Sequence, residues 1–402
     1  MRCLALVVLA GCSFQPGAGS DAAGPRDGAA DSGDAVAIDA PAIPIDAPAV
    51  FDVAHVPDAV VVAFDATASV TFANVTLDTG SNGGMPPSVN VALPAGAHLL
   101  TSAQLGSGPE LAILEVGDLT ITGTLRVVGG RPLVIIAKTT ISVAQLDASA
   151  TKQTPGGGGY PPRMGPGAGG DGAISGSADS GGGGGGYGTA GGAGQASGAA
   201  AAGTAGAVYG TTDLATLDGG SGGGATAPTC NGHPPGAGGG AIQLYAGTSI
   251  TITGSVRANG GGGAGGQSCA NVGMSGAGGG AGGAIYLQTP QLLGSGLVLA
   301  QGGGGGGGYD VASQNNGTDG EDGATTIAAA AGGTATGTGV LGEVNAGGTG
   351  GYRDAAPSAF TALSGAMSGN GGGGGGSVGR IVIRSGSAGT VASSPLAVVV
   401  AP

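Results

Sequence analysis

Short stretches in which apolar and polar residues alternate recur along this chain, and the clearest lies between residues 238 and 266. Apolar residues take every second position there in three successive runs: Ile242, Leu244 and Ala246, then Ile250 and Ile252, then Val256 and Ala258. A period of two is typical of a β-strand with one apolar and one polar face. Small residues such as Gly254 separate the runs. The pattern therefore predicts three short strands joined by tight corners.

The same pattern is repeated elsewhere in the chain. Residues 119–126 match residues 250–257, and Leu111 and Ile113 stand where Ile242 and Leu244 stand in the later copy. Further copies are marked by Val70, Phe72, Val75 and Leu77, by Leu133, Ile135, Ile141 and Val143, by Ile285, Leu287, Val298 and Ala300, and by Ile381, Ile383, Leu396, Val398 and Val400. The offset of 22 residues from Leu111 to Leu133 is the size of one turn of a parallel β-helix.

Stacked turns would bury apolar faces that a single turn leaves exposed. Strands about 4.8 Å apart would pair with the turns above and below and align Val, Ile and Leu in a shared core. An antiparallel β-sandwich also has alternating strands, but its hairpins usually need longer connections than the corners at Gly123 and Gly254 provide. We predict an all-β, right-handed parallel β-helix with glycine-rich insertions over residues 66–402. The antiparallel β-sandwich is the alternative.

Glycine fills 97 of the 402 positions, with runs at 156–159, 181–186, 260–263, 302–308 and 371–376. Ordering a glycine costs about 0.5–1 kcal/mol more than ordering an alanine. For dozens of glycines the cost is on the order of tens of kcal/mol, more than the net stability of a domain. We therefore predict large, mobile insertions at one corner of the helix. Bundled polyglycine helices are the alternative, and collagen is excluded because its strict three-residue sequence period is missing.

Tyrosines follow several glycine-rich runs directly. Tyr160, Tyr187, Tyr309 and Tyr352 do so, in a chain with seven tyrosines and no tryptophan. An exposed ring at such a place could stack on a sugar, which makes Tyr160, Tyr187 and Tyr309 candidate glycan contacts. The favoured alternative is a ring that lies over backbone without side chains, because tyrosine combines an apolar body with a polar end.

Charge and reactive residues exclude more functions than they assign. The formal net charge is −13, with two lysines and nine arginines, which argues against nucleic acid and against a polybasic membrane patch. Residues 219–223 have the spacing of a nucleophile elbow around Ser221, but an elbow needs a strand-to-helix turn and no helix is predicted there. The acidic candidates are Asp213 with Asp218, and Asp319 with Glu321 and Asp322. No outward acid recurs on successive turns as a pair for glycoside cleavage. We predict no catalytic residue, metal or cofactor.

The N-terminus has the pattern of an export signal. An apolar run at residues 4–10 follows Arg2, as in a secretory signal, and is too short to span a bilayer. It ends in Leu9-Ala10-Gly11-Cys12-Ser13, which resembles the bacterial lipobox. The resemblance implies a signal and lipid anchor over residues 1–12, lipid on Cys12, and sorting to the outer membrane because Ser13 is not Asp. Residues 13–65 hold nine Asp and one Arg among scattered prolines, and we expect an extended tether.

Two cysteines are left once Cys3 departs with the signal and Cys12 takes the lipid. Cys230 and Cys269 both lie in glycine-rich connectors beside the strands at 242–259. An exported chain meets an oxidising compartment, which favours a disulfide between them. A metal pair is the alternative, but only His233 lies nearby and the chain has no CxxC motif.

Residues 66–402 resemble the glycine-rich β-helix surface proteins of bacteria and, more loosely, pectate-lyase-like solenoids and PGRS-type Gly-Gly-Ala repeats. No catalytic motif of the pectin-cleaving relatives maps onto this chain. We therefore expect an exported, lipid-anchored protein of the cell surface with a structural or adhesive role and no catalytic activity. Its partners would be the membrane, through the anchor, and a surface polysaccharide. A polysaccharide lyase or hydrolase, or a glycan-binding module, is the alternative.

Overall fold

The computed structural model describes residues 52–401 except 63, 82, 176–177, 227–232, 270–271, 311–313, 335–345, 354, 360–369 and 388. About 33% of the chain lies in strands and about 2% in helices, so the fold is all-β. In chain order the elements are α1 (Asp58–Val62), β1 (Ser69–Asp78), β2 (Ser88–Val89), β3 (His98–Ser102), a 3-10 turn (Leu105–Ser107), β4 (Leu111–Val116), β5 (Asp118–Val128), β6 (Leu133–Ala137), β7 (Thr140–Asp147), β8 (Ile174–Ser175), β9 (Ala178–Asp179), β10 (Ala241–Ala246), β11 (Ser249–Arg257), β12 (Ser268–Cys269), β13 (Val272–Gly273), β14 (Ala284–Leu293), β15 (Leu297–Leu299), β16 (Arg380–Ser387), β17 (Ala392–Ser394) and β18 (Val398–Val400).

One large, mostly parallel sheet contains 14 of these strands. Parallel pairs join β1, β5, β7, β11, β15 and β17 into one ladder and β4, β6, β10, β14, β16 and β18 into another. The two ladders meet because β14 pairs with both β10 and β11. Antiparallel pairs within this sheet are β1 with β2 and β3 with β4. An antiparallel sandwich would need antiparallel neighbours throughout, so the described pairing contradicts that alternative.

Apolar residues of neighbouring parallel strands stack in one shared core, as predicted. Ile121 pairs with Val143 and Val143 with Ile252, and all three side chains are buried. The runs at 250–253 and 256–259 were predicted as separate strands, but residues 249–257 form the single strand β11, with a register shift beside Gly254. A Cβ added at Gly254 would stand 3.1 Å from the carbonyl carbon of Ala144 and closer still to its oxygen. Glycine therefore permits the close approach at this shift.

The predicted register of β4 is wrong by one residue. Ala112, not Leu111, pairs with Leu133, which in turn pairs with Ile242. Leu111 and Ile113 point instead to a second apolar cluster on the opposite face. Every side chain of β4 is buried, so its sequence has no alternation that marks one face. A slip of one residue exchanges the two faces of a strand, which is why the repeat placed the wrong residues in the core.

The second cluster is covered by the end of the segment predicted as a tether. Val53, Val56 and Val61 are buried in this cluster. The N–H of Ala54 donates to Oε1 of Gln288 on β14 at 3.1 Å. Residues 52–61 therefore pack on the outer face of the sheet, and the packed part of the chain begins before residue 66.

The glycine-rich insertions leave the sheet at one corner, as predicted. They follow β7, β11 and β15 and occupy residues 148–240, 258–283 and 300–379. Their described glycines are largely buried, and their backbone N–H groups donate mainly to carbonyl groups of neighbouring segments. We call these packed segments the glycine lattice. The prediction of mobile runs is wrong for the described residues.

The hydrogen bonds of the lattice repeat every three residues. In the segment 276–283, successive N–H groups point in rotation to three neighbouring segments. Gly276, Gly279 and Gly282 donate to Gly371, Gly374 and Ser377; Ala277, Gly280 and Gly283 donate to Ala264, Gly261 and Ala258; Gly278 and Ala281 donate to Gly224 and Ser221, all at 2.7–2.9 Å. Three residues per turn with no internal hydrogen bond is the geometry of a polyproline II helix. The lattice is the bundle of polyglycine helices that the sequence left as the alternative.

The last predicted core residues are exposed. Leu396, Val398 and Val400 are 62%, 42% and 38% exposed. β18 pairs with β16 on one side, and no strand of the described chain lies on its other side. These residues have the alternation of a core strand, but no described strand packs against them on that side.

Candidate functional site

An open cavity of about 350 Å³ lies where β5 meets the glycine lattice, and we call it the Tyr160 cavity. A cavity of this volume is large enough for a small ligand. Its lining comes from Pro109, the end of β5 and the two glycines after it, Thr154, Pro155, residues 158–161 and Asp218.

Two glycines fix the backbone of this cavity. Gly129 has φ of 103° and Gly158 has φ of 79°, conformations that other residues rarely adopt. The N–H of Gly158 donates to the carbonyl oxygen of Gly129 at 3.0 Å. A Cβ added at Gly158 would stand 2.6 Å from the nitrogen of Pro132. The segment that carries Tyr160 is therefore held tightly against the end of β5.

Tyr160 and Asp218 meet in the cavity. The Tyr160 hydroxyl donates to Oδ2 of Asp218 at 3.2 Å, and the N–H of Gly219 donates to Oδ1 at 2.9 Å. Both side chains are half-buried. Asp218 comes just before the glycine run at 219–220 and Tyr160 just after the run at 156–159. The lattice thus brings together two residues that the sequence treated separately.

Burial changes the acidity of both groups. It raises the pKa of Asp218 above its ordinary value, and the hydrogen bonds from Tyr160 and Gly219 offset part of that rise. Burial, then the charge of Asp218 and the shared hydrogen bond, raises the pKa of Tyr160 to about 12. The phenol therefore stays protonated and remains a donor at neutral pH. Chemically, the cavity offers an aromatic ring, a hydroxyl group and one carboxyl group, surrounded by prolines and glycine backbone.

The other two candidate glycan contacts are buried. Tyr187 is 1% exposed and Tyr309 is 6% exposed. The ring of Tyr187 packs 4.6 Å from that of Tyr209, and the Arg380 guanidinium lies 5.5 Å from its centroid. Both rings are therefore too buried to stack on a sugar, and that of Tyr187 lies beside Gly210, where an added Cβ would stand 3.3 Å from its Cε2. Of the three candidates, Tyr160 is the one that lines the cavity.

The acidic cluster near residue 320 bonds to backbone groups. Asp322 accepts from the N–H groups of Lys152 and Gly262 at 3.0 and 2.8 Å, and Asp319 accepts from that of Gly265 at 2.9 Å. Glu321 accepts from a further lattice N–H at 3.3 Å. These carboxylates therefore complete hydrogen bonds of the lattice. Within the described ranges, no three His, Cys, Asp or Glu side chains form a set that could hold a metal ion.

Ser221 and the histidines do not form a nucleophilic centre. Ser221 is fully buried within the lattice, where its Oγ accepts from the N–H of Gly167 at 3.0 Å. His55, in the packed end of the tether segment, is buried, and its Nδ1 lies 2.8 Å from Oε1 of Gln243. His98 pairs with Asp65 at 3.1 Å. None of these contacts joins a serine to a histidine.

Several predicted features lie outside the described residues. They include Cys12, the tether up to residue 51, and Cys230. The backbone of Cys269 belongs to β12, but its side chain lies outside the description, so the disulfide stays a prediction. Within the described part of the chain, no helix has the length and apolar character that a bilayer crossing requires. No protein-family model, curated protein or solved structure matches the chain.

Proposed function

We propose that this protein is a lipid-anchored, non-catalytic component of the outer membrane surface with a structural or adhesive role. The observation that carries the proposal is the glycine lattice. In residues 276–283 every backbone N–H donates to a carbonyl group of a neighbouring segment, and the direction of donation repeats every three residues. Such packing leaves no room for side chains and gives a stiff body. A stiff body on an extended tether suits contact with surfaces beyond the cell.

We further propose that the stacked coils form a right-handed parallel β-helix. Each coil supplies one strand to each ladder, and equivalent apolar residues lie above one another. Crossover connections between parallel strands of one sheet are right-handed in nearly all proteins. The glycine insertions extend from the same corner of successive coils, so the lattice grows beside the helix.

The anchor is tested by export in a Gram-negative host. The full chain should sediment with outer membranes, because several acyl chains on Cys12 hold a protein firmly. Cys12→Ala should release it, while Cys3→Ala, which changes the other cysteine of the predicted signal, should not. Retention of Cys12→Ala in the membrane fraction would contradict the lipid assignment.

The adhesive, non-catalytic role is tested on the same host cells. Host cells that display the full chain should adhere more strongly to polysaccharide-coated surfaces than cells that release the Cys12→Ala chain. Purified protein should show no turnover on a panel of acidic and neutral polysaccharides. Sustained product release from any of them would overturn the non-catalytic role.

A second candidate function is glycan binding at the Tyr160 cavity. The ring of Tyr160 and the carboxyl group of Asp218 are held together in an open cavity. Ligand pockets usually combine aromatic side chains with a few placed polar groups, and a sugar ring offers both a face and hydroxyl groups. Asp218 is the single carboxyl group among the described lining residues. Glycoside hydrolysis uses two, so the arrangement favours binding over cleavage.

Two substitutions separate the ring from the hydroxyl. Tyr160→Ala should abolish binding of a neutral oligosaccharide, and Tyr160→Phe should keep most of it because the ring remains. Binding is read on a glycan panel and by titration calorimetry with the best glycan. Equal affinity of the wild type and Tyr160→Ala would remove the candidate.

A further inference from the structure

A second cavity lies between the glycine lattice and the strands β16 and β18, close to Tyr187, whose ring contacts Arg380. It has a volume of about 260 Å³, and its lining includes Arg353, Arg380, Thr189 and Thr212. Pro395 and Leu396 supply part of an apolar wall. We call it the Arg380 cavity. No carboxylate belongs to its described lining.

Its two arginines differ from the other arginines of the described chain. Seven arginines are described. Five of them form an ion pair with a carboxylate: Arg126, Arg131, Arg163, Arg257 and Arg384. Arg353 and Arg380 form none with any described residue, although the chain carries a net charge of −13. Both of these cationic groups line the same cavity.

Two buried polar atoms of the cavity residues also lack a partner. Arg380 is 9% exposed, and one terminal nitrogen donates to the carbonyl oxygen of Tyr209 at 2.9 Å. Its Nε is buried, and no described group accepts its proton. The Oγ1 of Thr189 is buried and without a described partner as well. A buried donor left unpaired costs about 1–3 kcal/mol, so the described residues around this cavity do not fully satisfy its polar groups.

The chemistry of the lining defines the ligand class. A guanidinium group presents parallel N–H donors that match the two oxygens of a carboxylate. Threonine hydroxyls match sugar hydroxyls, and Pro395 and Leu396 offer an apolar surface to a ring face. The volume suits one ring and not a long chain. We propose that the Arg380 cavity binds a single acidic sugar residue of the uronic acid type through its carboxylate.

The test is titration calorimetry with the full chain in non-ionic detergent at low ionic strength, where charge interactions are least screened. The probes are sodium galacturonate, sodium glucuronate, galactose and sodium sulfate. A uronate should bind in a saturable way, with galactose and sulfate at least about tenfold weaker, because neither offers both a carboxylate and a ring. Sulfate binding as tightly as the better uronate, or no uronate binding, would overturn the proposal.

Variants locate the site. Arg353→Gln should weaken uronate binding about tenfold or more, since a hydrogen bond to a charged group is lost. Thr212→Val should weaken it a few-fold. Arg163→Gln, which removes a guanidinium paired with Asp171 outside this cavity, should leave it unchanged. Arg353 and Thr212 are exposed, so their variants should fold normally. Equal affinity of Arg353→Gln and Arg163→Gln would overturn the assignment, and it would do so whether or not the protein is lipid-anchored.

Discussion

Gly278→Ala tests whether the glycine lattice is as close-packed as its geometry indicates. A Cβ added at Gly278 would stand 2.5 Å from the carbonyl carbon of Gly183. Ordinary carbon–carbon contacts are about 3.5–4.0 Å, so the two segments must separate by about 1 Å. Gly183 accepts from Gly224 at 2.7 Å and donates to Gly170 at 2.9 Å. A shift of that size takes hydrogen bonds beyond their useful length of about 3.2 Å.

The expected loss follows from these two hydrogen bonds. Each broken bond leaves a buried group unsatisfied, at about 1–3 kcal/mol. Gly278→Ala should therefore lower the free energy of unfolding by about 2–6 kcal/mol, a large part of the 5–15 kcal/mol that is usual for a folded domain.

Gly83→Ala is the control. An added Cβ at Gly83 would meet nothing within 4 Å, but φ is 66°, which costs an alanine about 1–2 kcal/mol. Both variants restrict the unfolded chain to the same degree, by about 0.4–1 kcal/mol, so that effect cancels in the comparison.

The measurement is guanidinium unfolding followed by circular dichroism, with hydrogen exchange of residues 276–283 to locate the loss. Gly278→Ala should lose more free energy than Gly83→Ala and should expose the amides of that segment to exchange. If the two variants unfold at the same midpoint and the segment stays protected, the close packing inferred for the lattice is refuted.

Two further predictions concern the core and the cavity. Ile252→Asp should lower the free energy of unfolding by about 3–5 kcal/mol because it places an unpaired charge in the stacked core. Thr253→Asp, on the exposed side of the same strand, should lower it far less. Equal melting temperatures of the two variants would show that Ile252 does not face the core. The folded-state pKa of Asp218 is raised, so its contribution to stability is present at pH below the ordinary pKa of an aspartate and is lost as the pH rises through the raised value. Wild type should accordingly gain stability relative to Asp218→Asn between pH 7 and acid pH, and parallel melting curves against pH would contradict the burial of that carboxyl group.

Most core strands could be predicted from the sequence because each has one apolar and one polar face. Ile121, Val143 and Ile252 were placed in the core by alternation alone, and the structure buries all three. The same rule failed at β4, where both faces are buried and Leu111 took the place that belongs to Ala112. Alternation defines a face only when the other face meets water.

Only part of the two cavities could be predicted from the sequence. Tyr160 was a candidate because it follows a glycine run, but nothing local linked it to Asp218, 58 residues away. Arg353 and Arg380 carried no motif at all. Their common feature is the absence of a described carboxylate partner, which depends on where every acidic residue of the fold lies.

The sequence by itself determined an all-β chain, the corner from which the glycine runs leave, and the positions of most core strands, since these depend on neighbours a few residues apart. Only the tertiary structure decided that the runs are ordered. A single glycine segment has no hydrogen bonds of its own to offset the loss of backbone freedom, and therefore its local sequence favours motion. Surrounded by other such segments, most described N–H groups of the lattice find a backbone carbonyl across a gap that any side chain would close. That gain exists only when the whole bundle is assembled.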